Sequence, residues 1–267
     1  MANLKILVAG AAGRMGSAII REVLATTGLS LAGGFERAGH DAVGKDIGPL
    51  AGLDSLGLVV EPSAQNLMPG ADALIDFTAP AATLANARIA ADTDVAHIIG
   101  TTGFSEEQEA ELHTLAEKTV IVKSGNMSLG VNLLAALSRE AAKRLGPEYD
   151  IEIVEAHHRS KVDAPSGTAI MLGHATAAGR GVAETAIERA SRKGLREVGA
   201  IEYAVIRGGG IVGDHHVMFA GKDEVITLSH RAIDRGLFAK GAVAAAKWAT
   251  SQQPGLYSMA DVLGFTE

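Results

Sequence analysis

The chain has 267 residues, 47% of them apolar and 21% charged, ordinary usage for a folded globular protein and enough for one large domain or two modest ones. With no cysteine it has no disulfide, no thiolate metal site and no mechanism through an enzyme-bound thioester. Its formal charge of -7 argues against a broad nucleic-acid surface, so an anionic ligand has to be held by a local cluster.

The longest stretch without Asp, Glu, Lys or Arg, residues 164–179, is shorter than the about 20 apolar residues of a membrane span. Lys5 and the apolar residues behind it superficially resemble a leader, but Arg14 interrupts them early and a glycine pattern explains them better. A cytoplasmic protein with no membrane or nucleic-acid partner is expected.

Residues 5–9 form a short apolar run ending in Gly10, and 15–25 follow with helical spacing at Met15, Ile19, Ile20, Val23 and Leu24. Residues 29–35, 58–60 and 73–77 read as strands, the last stopped by Thr78 and Pro80. A helix is expected over 81–91 and a strand over 95–99. Ser105 and Gln108 then form a capping box for a helix to about 118, and 120–122 repeat the strand pattern. This βαβ alternation predicts a parallel sheet covered by helices, with ligands at the carboxyl ends of the strands.

A long helix is expected from 129 to about 145, stopped by Gly146 and Pro147, and then the rhythm changes. A strand over 150–156 and a polar loop lead to a helix over 166–178. Strands at 201–207, 215–220 and 224–230, joined by glycine turns, predict antiparallel pairing. Residues 237–250 return to helix. The expected fold class is α/β: a Rossmann-like parallel sheet domain with an inserted α+β substrate domain on a mixed, largely antiparallel sheet. The expected boundaries are 1–127 for dinucleotide binding, 128–236 for substrate binding and oligomerisation, and 237–267 for a segment returning to the first domain.

Gly10, Gly13 and Gly16 have the spacing GxxGxxG between a predicted strand and a predicted helix. There the first glycine permits the tight turn, the second lets backbone approach a pyrophosphate, and the third permits close packing of the helix. The spacing departs from GxGxxG by one residue, and an ordinary glycine-rich βα turn is the plain alternative. Glu36 lies 20 residues past Gly16, where a carboxylate accepts hydrogen bonds from ribose hydroxyls and favours NADH. Arg37 beside it suits the 2′-phosphate of NADPH, unless the two are a solvated surface pair.

The segment 155–168, EAHHRSKVDAPSGT, carries the richest chemistry. Four of the five positions 157–161 can be cationic, at a strand end and just before a helix, which in an acidic protein points to an anionic ligand. Ser166, Gly167 and Thr168 place backbone N–H groups at that helix start. A histidine and a lysine among cations are proton donors suited to neutral pH. Adjacent histidines on a strand point to opposite faces, so one of them can be a plain packing or solvent residue. A metal site drawing on Glu155, the His pair, His215 or His216 is disfavoured by Arg159 and Lys161, and no metal is expected. No Tyr is followed by Lys four residues on, and no GxSxG surrounds a serine, so short-chain reductase and serine hydrolase chemistry are set aside.

The run EAHHRSKVDAPSGTA from Glu155 to Ala169 resembles the signature of the 4-hydroxy-tetrahydrodipicolinate (dihydrodipicolinate) reductases of lysine and diaminopimelate synthesis. The likeness extends to VAGAAGRMG at the start, DFTAP at 76–80, GTTGF at 100–104 and GNMSLGVN at 125–132. It implies a nucleotide-binding domain hinged to an α+β domain whose sheet builds a homotetramer. It places cofactor contacts, to NADH or NADPH, on Gly10, Ala11, Ala12, Gly13, Arg14 and Met15, on Glu36 and Arg37, on Gly100, Thr101 and Thr102, and on Ser124, Gly125, Asn126 and Met127. It gives proton donation to His157 and Lys161, and the carboxylates of a small dicarboxylate substrate to His158, Gly167 and Thr168. Met127 departs from the Phe of many members. The implied reaction removes water from the cyclic 4-hydroxy dicarboxylate and adds hydride from NAD(P)H, with hinge closure uniting the two domains. Another two-domain dicarboxylate reductase, or a silent nucleotide sensor, would share the glycine turn alone.

Overall fold

A computed structural model describes residues 3–183 and 195–265, and the backbone of 187–188. The chain divides into two compact units, Met1–Ser128 with Gly236–Glu267, and Leu129–Arg235.

The first unit is built on seven strands: β1 (Leu4–Ala9), β2 (Leu29–Phe35), β3 (Val60–Glu61), β4 (Ala73–Asp76), β5 (Ala96–Ile99), β6 (Val120–Lys123) and, from the far end of the chain, a strand at Gly255–Tyr257. All pair in parallel, in the order Gly255–Tyr257, β6, β5, β4, β1, β2, β3. Ile6, Leu7 and Val8 are fully buried, because a parallel sheet has both faces covered and its central strands therefore read as unbroken apolar runs. The strand order reverses between β1 and β4, so a crevice is expected where their carboxyl ends diverge.

The helices are α1 (Arg14–Ala25), the short α2 (Ile47–Leu50), α3 (Pro80–Thr93) and α4 (Glu106–Ala116). The Ser105–Gln108 capping box is present at α4. Among the described residues no helix is long and apolar enough to cross a membrane. The third expected strand, 58–60, lies two residues later as β3, where Val60 and Glu61 follow the register of Gly34 and Phe35.

In the second unit α5 (Leu129–Arg144) leads to β7 (Asp150–His157) and α6 (Gly167–Arg180), then β8 (Ile187–Glu188), β9 (Ile201–Arg207), β10 (Gly213–Ala220) and β11 (Val225–Ala232). The sheet order is β11, β10, β7, β9, β8, with two antiparallel and two parallel pairings. The hairpin expected between 201–207 and 215–220 does not form. β7 lies between them, antiparallel to β10 and parallel to β9. The glycine run 208–210 therefore crosses the end of β7, where the Gly208 amide bonds the His157 carbonyl at 2.9 Å. Among the described residues only the turn at 221–223 reverses the chain into a neighbouring strand, β11.

Rows of side chains cross this sheet on its helix-covered face. Ile201, Ile151 and Phe219 make one row, and Tyr203, Ile153 and Val217 the next. All six are buried beside Leu134, Ala169 and Leu172 of α5 and α6. One row on, Glu155 and His215 replace the apolar pair, and His157 follows. The period of two continues while its chemistry switches from apolar to ionisable.

After the second unit α7 (Gly236–Ala249) returns to the first, with seven buried residues, followed by β12 (Gly255–Tyr257) and α8 (Met259–Val262). β12, α2 and α8 are too short to carry a readable period.

Candidate active site

In the first unit Gly10 closes β1 with φ +65, a conformation side chains disfavour. Its carbonyl accepts the Gly13 amide at 2.9 Å. A Cβ on Gly16 would stand 2.1 Å from the Gly10 carbonyl oxygen, and one on Gly13 3.1 Å. The glycines thus let α1 begin directly against the turn. No described side chain caps α1 at Gly13, which leaves its first-turn amides suited to an anion.

The Ala12 amide donates to Glu36 Oε1 at 3.1 Å and the Ala11 amide to the Phe35 carbonyl at 3.2 Å, so the end of β2 is tied to the turn. Arg14 and Arg37 are exposed, Met15 is half-buried and Ala11 is buried. A cleft of about 530 Å³ opens beside the turn, lined among others by Ala12, Gly13, Arg14, Arg21 and Pro49.

Two further segments reach the same edge. Gly100 follows β5, and the ring of Phe77 stands where its side chain would be, 2.1 Å from an ideal Cβ. Thr101 is buried, and its hydroxyl lies 2.8 Å from that of Thr83. Thr102 is exposed. After β6, Ser124 Oγ and Asn126 bond each other through backbone atoms, the Ser128 amide donates to Asn126 Oδ1, Gly125 is exposed and Met127 is buried. Every residue expected to touch the dinucleotide therefore follows the carboxyl end of β1, β2, β5 or β6, as ligand residues do in such sheets. The glycine cradle and uncapped α1 fit such a cofactor.

At the end of β4 the fully buried Asp76 accepts from the Thr78 amide and hydroxyl, the Thr83 hydroxyl and the Asn86 amide group at 2.6–3.1 Å. His97 Nε2 is 3.4 Å away. Burial opposes its ionisation, but His97, Thr78 and Asn86 outweigh it and hold the carboxyl below the usual range.

In the second unit the carboxyl end of β7 gathers the cationic segment. His157 is buried, and its Nδ1 lies 2.6 Å from Glu155 Oε2. His158, on the other face and half-buried, meets Arg235 Nη2 at 3.3 Å through Nε2. Lys161 Nζ pairs with Asp163 at 2.8 Å and holds that carboxyl low. Ser166 caps α6, accepting from the Ala169 amide. Gly167 is exposed and Thr168 half-buried on the first turn. Among the described residues no group of three or more His, Asp or Glu side chains is arranged to hold a metal ion.

Glu155, wholly buried, also takes both terminal nitrogens of Arg207 at 2.8 Å and the Ser166 amide at 3.0 Å. Burial raises its pKa, yet these partners and His157 win and leave it lowered. His215 touches the His157 ring edge to face and lies 3.3 Å from Ser166 Oγ.

The chain matches "Dihydrodipicolinate reductase, N-terminus" over residues 4–127 and "Dihydrodipicolinate reductase, C-terminus" over 130–263. The chain belongs to the dihydrodipicolinate reductase family. Relatives named 4-hydroxy-tetrahydrodipicolinate reductase include one from Parvibaculum lavamentivorans, 55% identical over 98% of both chains, and one from Rhodopseudomonas palustris strain HaA2, 50% identical over the full length of both. Among solved structures, a dipicolinate-bound dihydrodipicolinate reductase from Paenisporosarcina sp. TG-14 shares the fold, with a TM-score of 0.79 at 23% identity over 97% of this chain and 98% of that one.

Sequence reasoning did not single out Arg207 or the Asp76 hydrogen-bond cluster, and weighed Glu155 and His215 only as metal ligands. The signal lay in strand parity: Glu155 and His157 continue the buried positions of Ile151 and Ile153, and His215 those of Val217 and Phe219. An ionisable residue at a core-facing position needs a partner, and so points to a network.

Proposed function

We propose that the chain catalyses the NAD(P)H-dependent reduction of 4-hydroxy-2,3,4,5-tetrahydrodipicolinate to 2,3,4,5-tetrahydrodipicolinate, with loss of water, in lysine and diaminopimelate synthesis. A bound nicotinamide dinucleotide supplies the hydride. The observation that carries the reading is the gathering of His157, His158, Lys161 and the start of α6 at one end of β7, in a family of this reaction.

The residues divide the work by unit. Gly10, Ala11, Ala12, Gly13, Arg14 and Met15 hold the pyrophosphate at the α1 N-terminus, Glu36 holds a ribose and Arg37 accommodates a 2′-phosphate, so both NADH and NADPH are used. Gly100, Thr101, Thr102, Ser124, Gly125, Asn126 and Met127 frame the nicotinamide end, with Thr101 contributing backbone because its hydroxyl faces Thr83. His158, Gly167 and Thr168 hold the two carboxylates of a substrate akin to the dipicolinate carried by the structural relative. His157 and Lys161 give the proton that the reduced carbon skeleton takes up.

In this reading the protein works in the cytoplasm as a homotetramer, with the sheet of the second unit as the assembling surface. Val154, Ala156, Ile206 and Met218 lie on the face turned away from α5 and α6, and Ile206 is 51% exposed. The face is mixed, since Glu152 and Glu202 pair with Arg196 on it, and its apolar positions are where a second copy packs in this reading.

The test generates the cyclic substrate in place from pyruvate and aspartate semialdehyde with the preceding synthase, and follows oxidation of NADH and NADPH separately. Substrate-dependent oxidation of both is expected, and His157→Gln and Lys161→Ala each cut turnover far more than cofactor affinity. Oxidation with neither cofactor, although nucleotide binds, would overturn the reading, and full turnover in both variants would overturn the assigned roles.

A further inference from the structure

We propose that Glu155 is the positioning residue of the substrate-side site: its carboxylate fixes a proton on His157 Nδ1, so that Nε2 is the nitrogen offered for proton transfer. The same carboxylate ties the cap of α6 to that ring. The inference rests on the reading of His157 as a proton donor.

The carboxylate has a full set of partners. Oε1 accepts from the Ser166 amide at 3.0 Å and Arg207 Nη2 at 2.8 Å. Oε2 accepts from Arg207 Nη1 at 2.8 Å and faces His157 Nδ1 at 2.6 Å. A guanidinium gripping both oxygens, with no solvent exposure at Glu155, keeps the group ionised. An ionised carboxylate has no proton to donate, so the hydrogen of the 2.6 Å bond belongs to the imidazole. Nδ1 then carries its proton in both the neutral and the cationic ring. The proton that comes and goes is on Nε2, the arrangement by which a carboxylate orients an acid–base histidine.

Two further observations agree. A Cβ on Gly213 would stand 3.1 Å from His157 Nε2, so the glycine at the head of β10 keeps side-chain atoms away from that nitrogen. Arg207 also donates to the carbonyls of Ile206 and Asp163. The anchor of the histidine is thereby fixed to backbone on β9 and on the loop that carries Lys161 and Asp163. Oε1 and Oε2 hold the α6 cap and the donor ring on one rigid group, which sets the separation between proton donor and carboxylate site.

The tautomer is read directly on the full chain labelled with ¹⁵N-histidine, from imidazole nitrogen shifts under alkaline conditions, with His157 assigned by its absence in His157→Gln. The Nδ1–H form is expected in the unaltered protein. A neutral His157 carrying its proton on Nε2 overturns the proposal without any variant, which matters if Glu155→Gln does not fold.

Where Glu155→Gln folds, the single tautomer is expected to be lost and kcat to fall on the order of 10²-fold, with the Kd for NADH unchanged. Retention of both tautomer and kcat overturns the proposal. If His157→Gln keeps full turnover, the donor reading fails instead, and the spectrum tells the two failures apart.

Discussion

The imidazoles of His157 and His215 meet edge to face, with centroids 5.0 Å apart and planes at 74°. His215 is 3% exposed and its pKa is lowered to about 4, by burial first and then by the nearby His157. It therefore stays neutral at neutral pH and adds no charge beside His157.

A histidine held below its free value of 6.5 binds its proton less readily when folded than when unfolded. Its stabilising contribution is complete above about pH 6.5 and is lost as the pH falls toward 4, up to about 3 kcal/mol for this one group. His215→Phe keeps a ring in the same place and removes the titration. Thermal unfolding followed across this pH range should show a shallower acid limb in the variant, and superimposable slopes would remove His215 as a cause.

Thr83 joins the Asp76 carboxylate to Thr101, at 3.1 and 2.8 Å. Thr83→Val keeps the shape and deletes the hydroxyl, leaving two buried partners short of a bond at a cost of about 1–3 kcal/mol. Because Gly100 and Thr102 flank Thr101, dinucleotide affinity should fall as well, with kcat at saturating cofactor largely kept. Calorimetric unfolding and a fluorescence titration with NADH check the pair of effects, and unchanged affinity would disconnect the cluster from the cofactor.

The three glycines of the turn should rank in a set order. An alanine Cβ at position 16 meets the Gly10 carbonyl oxygen at 2.1 Å, a backbone clash that cannot relax locally, whereas at position 13 the same contact is 3.1 Å. Gly16→Ala is expected to lower Tm and abolish NADH binding, and Gly13→Ala to do both more mildly. Equal behaviour of the two would mean that the turn yields where the packing says it should not.

Glu36 Oε1 is tied to the Ala12 amide, while Arg37 is exposed beside it. Arg37→Ala removes the partner proposed for a 2′-phosphate without touching the carboxylate, so kcat/KM with NADPH should fall about 10-fold or more and that with NADH should stay. Steady-state assays with both cofactors decide it, and a parallel loss with NADH would assign Arg37 a structural task.

The sequence by itself determined the alternation of the first unit, the glycine turn and the Ser105 capping box, because these follow from local spacing: apolar runs, a period of 3.6 and a donor–acceptor pair three residues apart. It also marked the 155–168 segment as the richest in candidate chemistry, since cations were concentrated there in an acidic chain. The tertiary structure alone decided that β7 lies between β9 and β10, because strand neighbours are chosen by which apolar faces bury together and a five-residue connection can cross one strand as easily as turn back. That choice sets Arg207 and His215 on either side of Glu155, 52 and 60 residues along the chain. No local pattern ties residues so far apart, and the clamp on His157 exists only once the sheet has assembled.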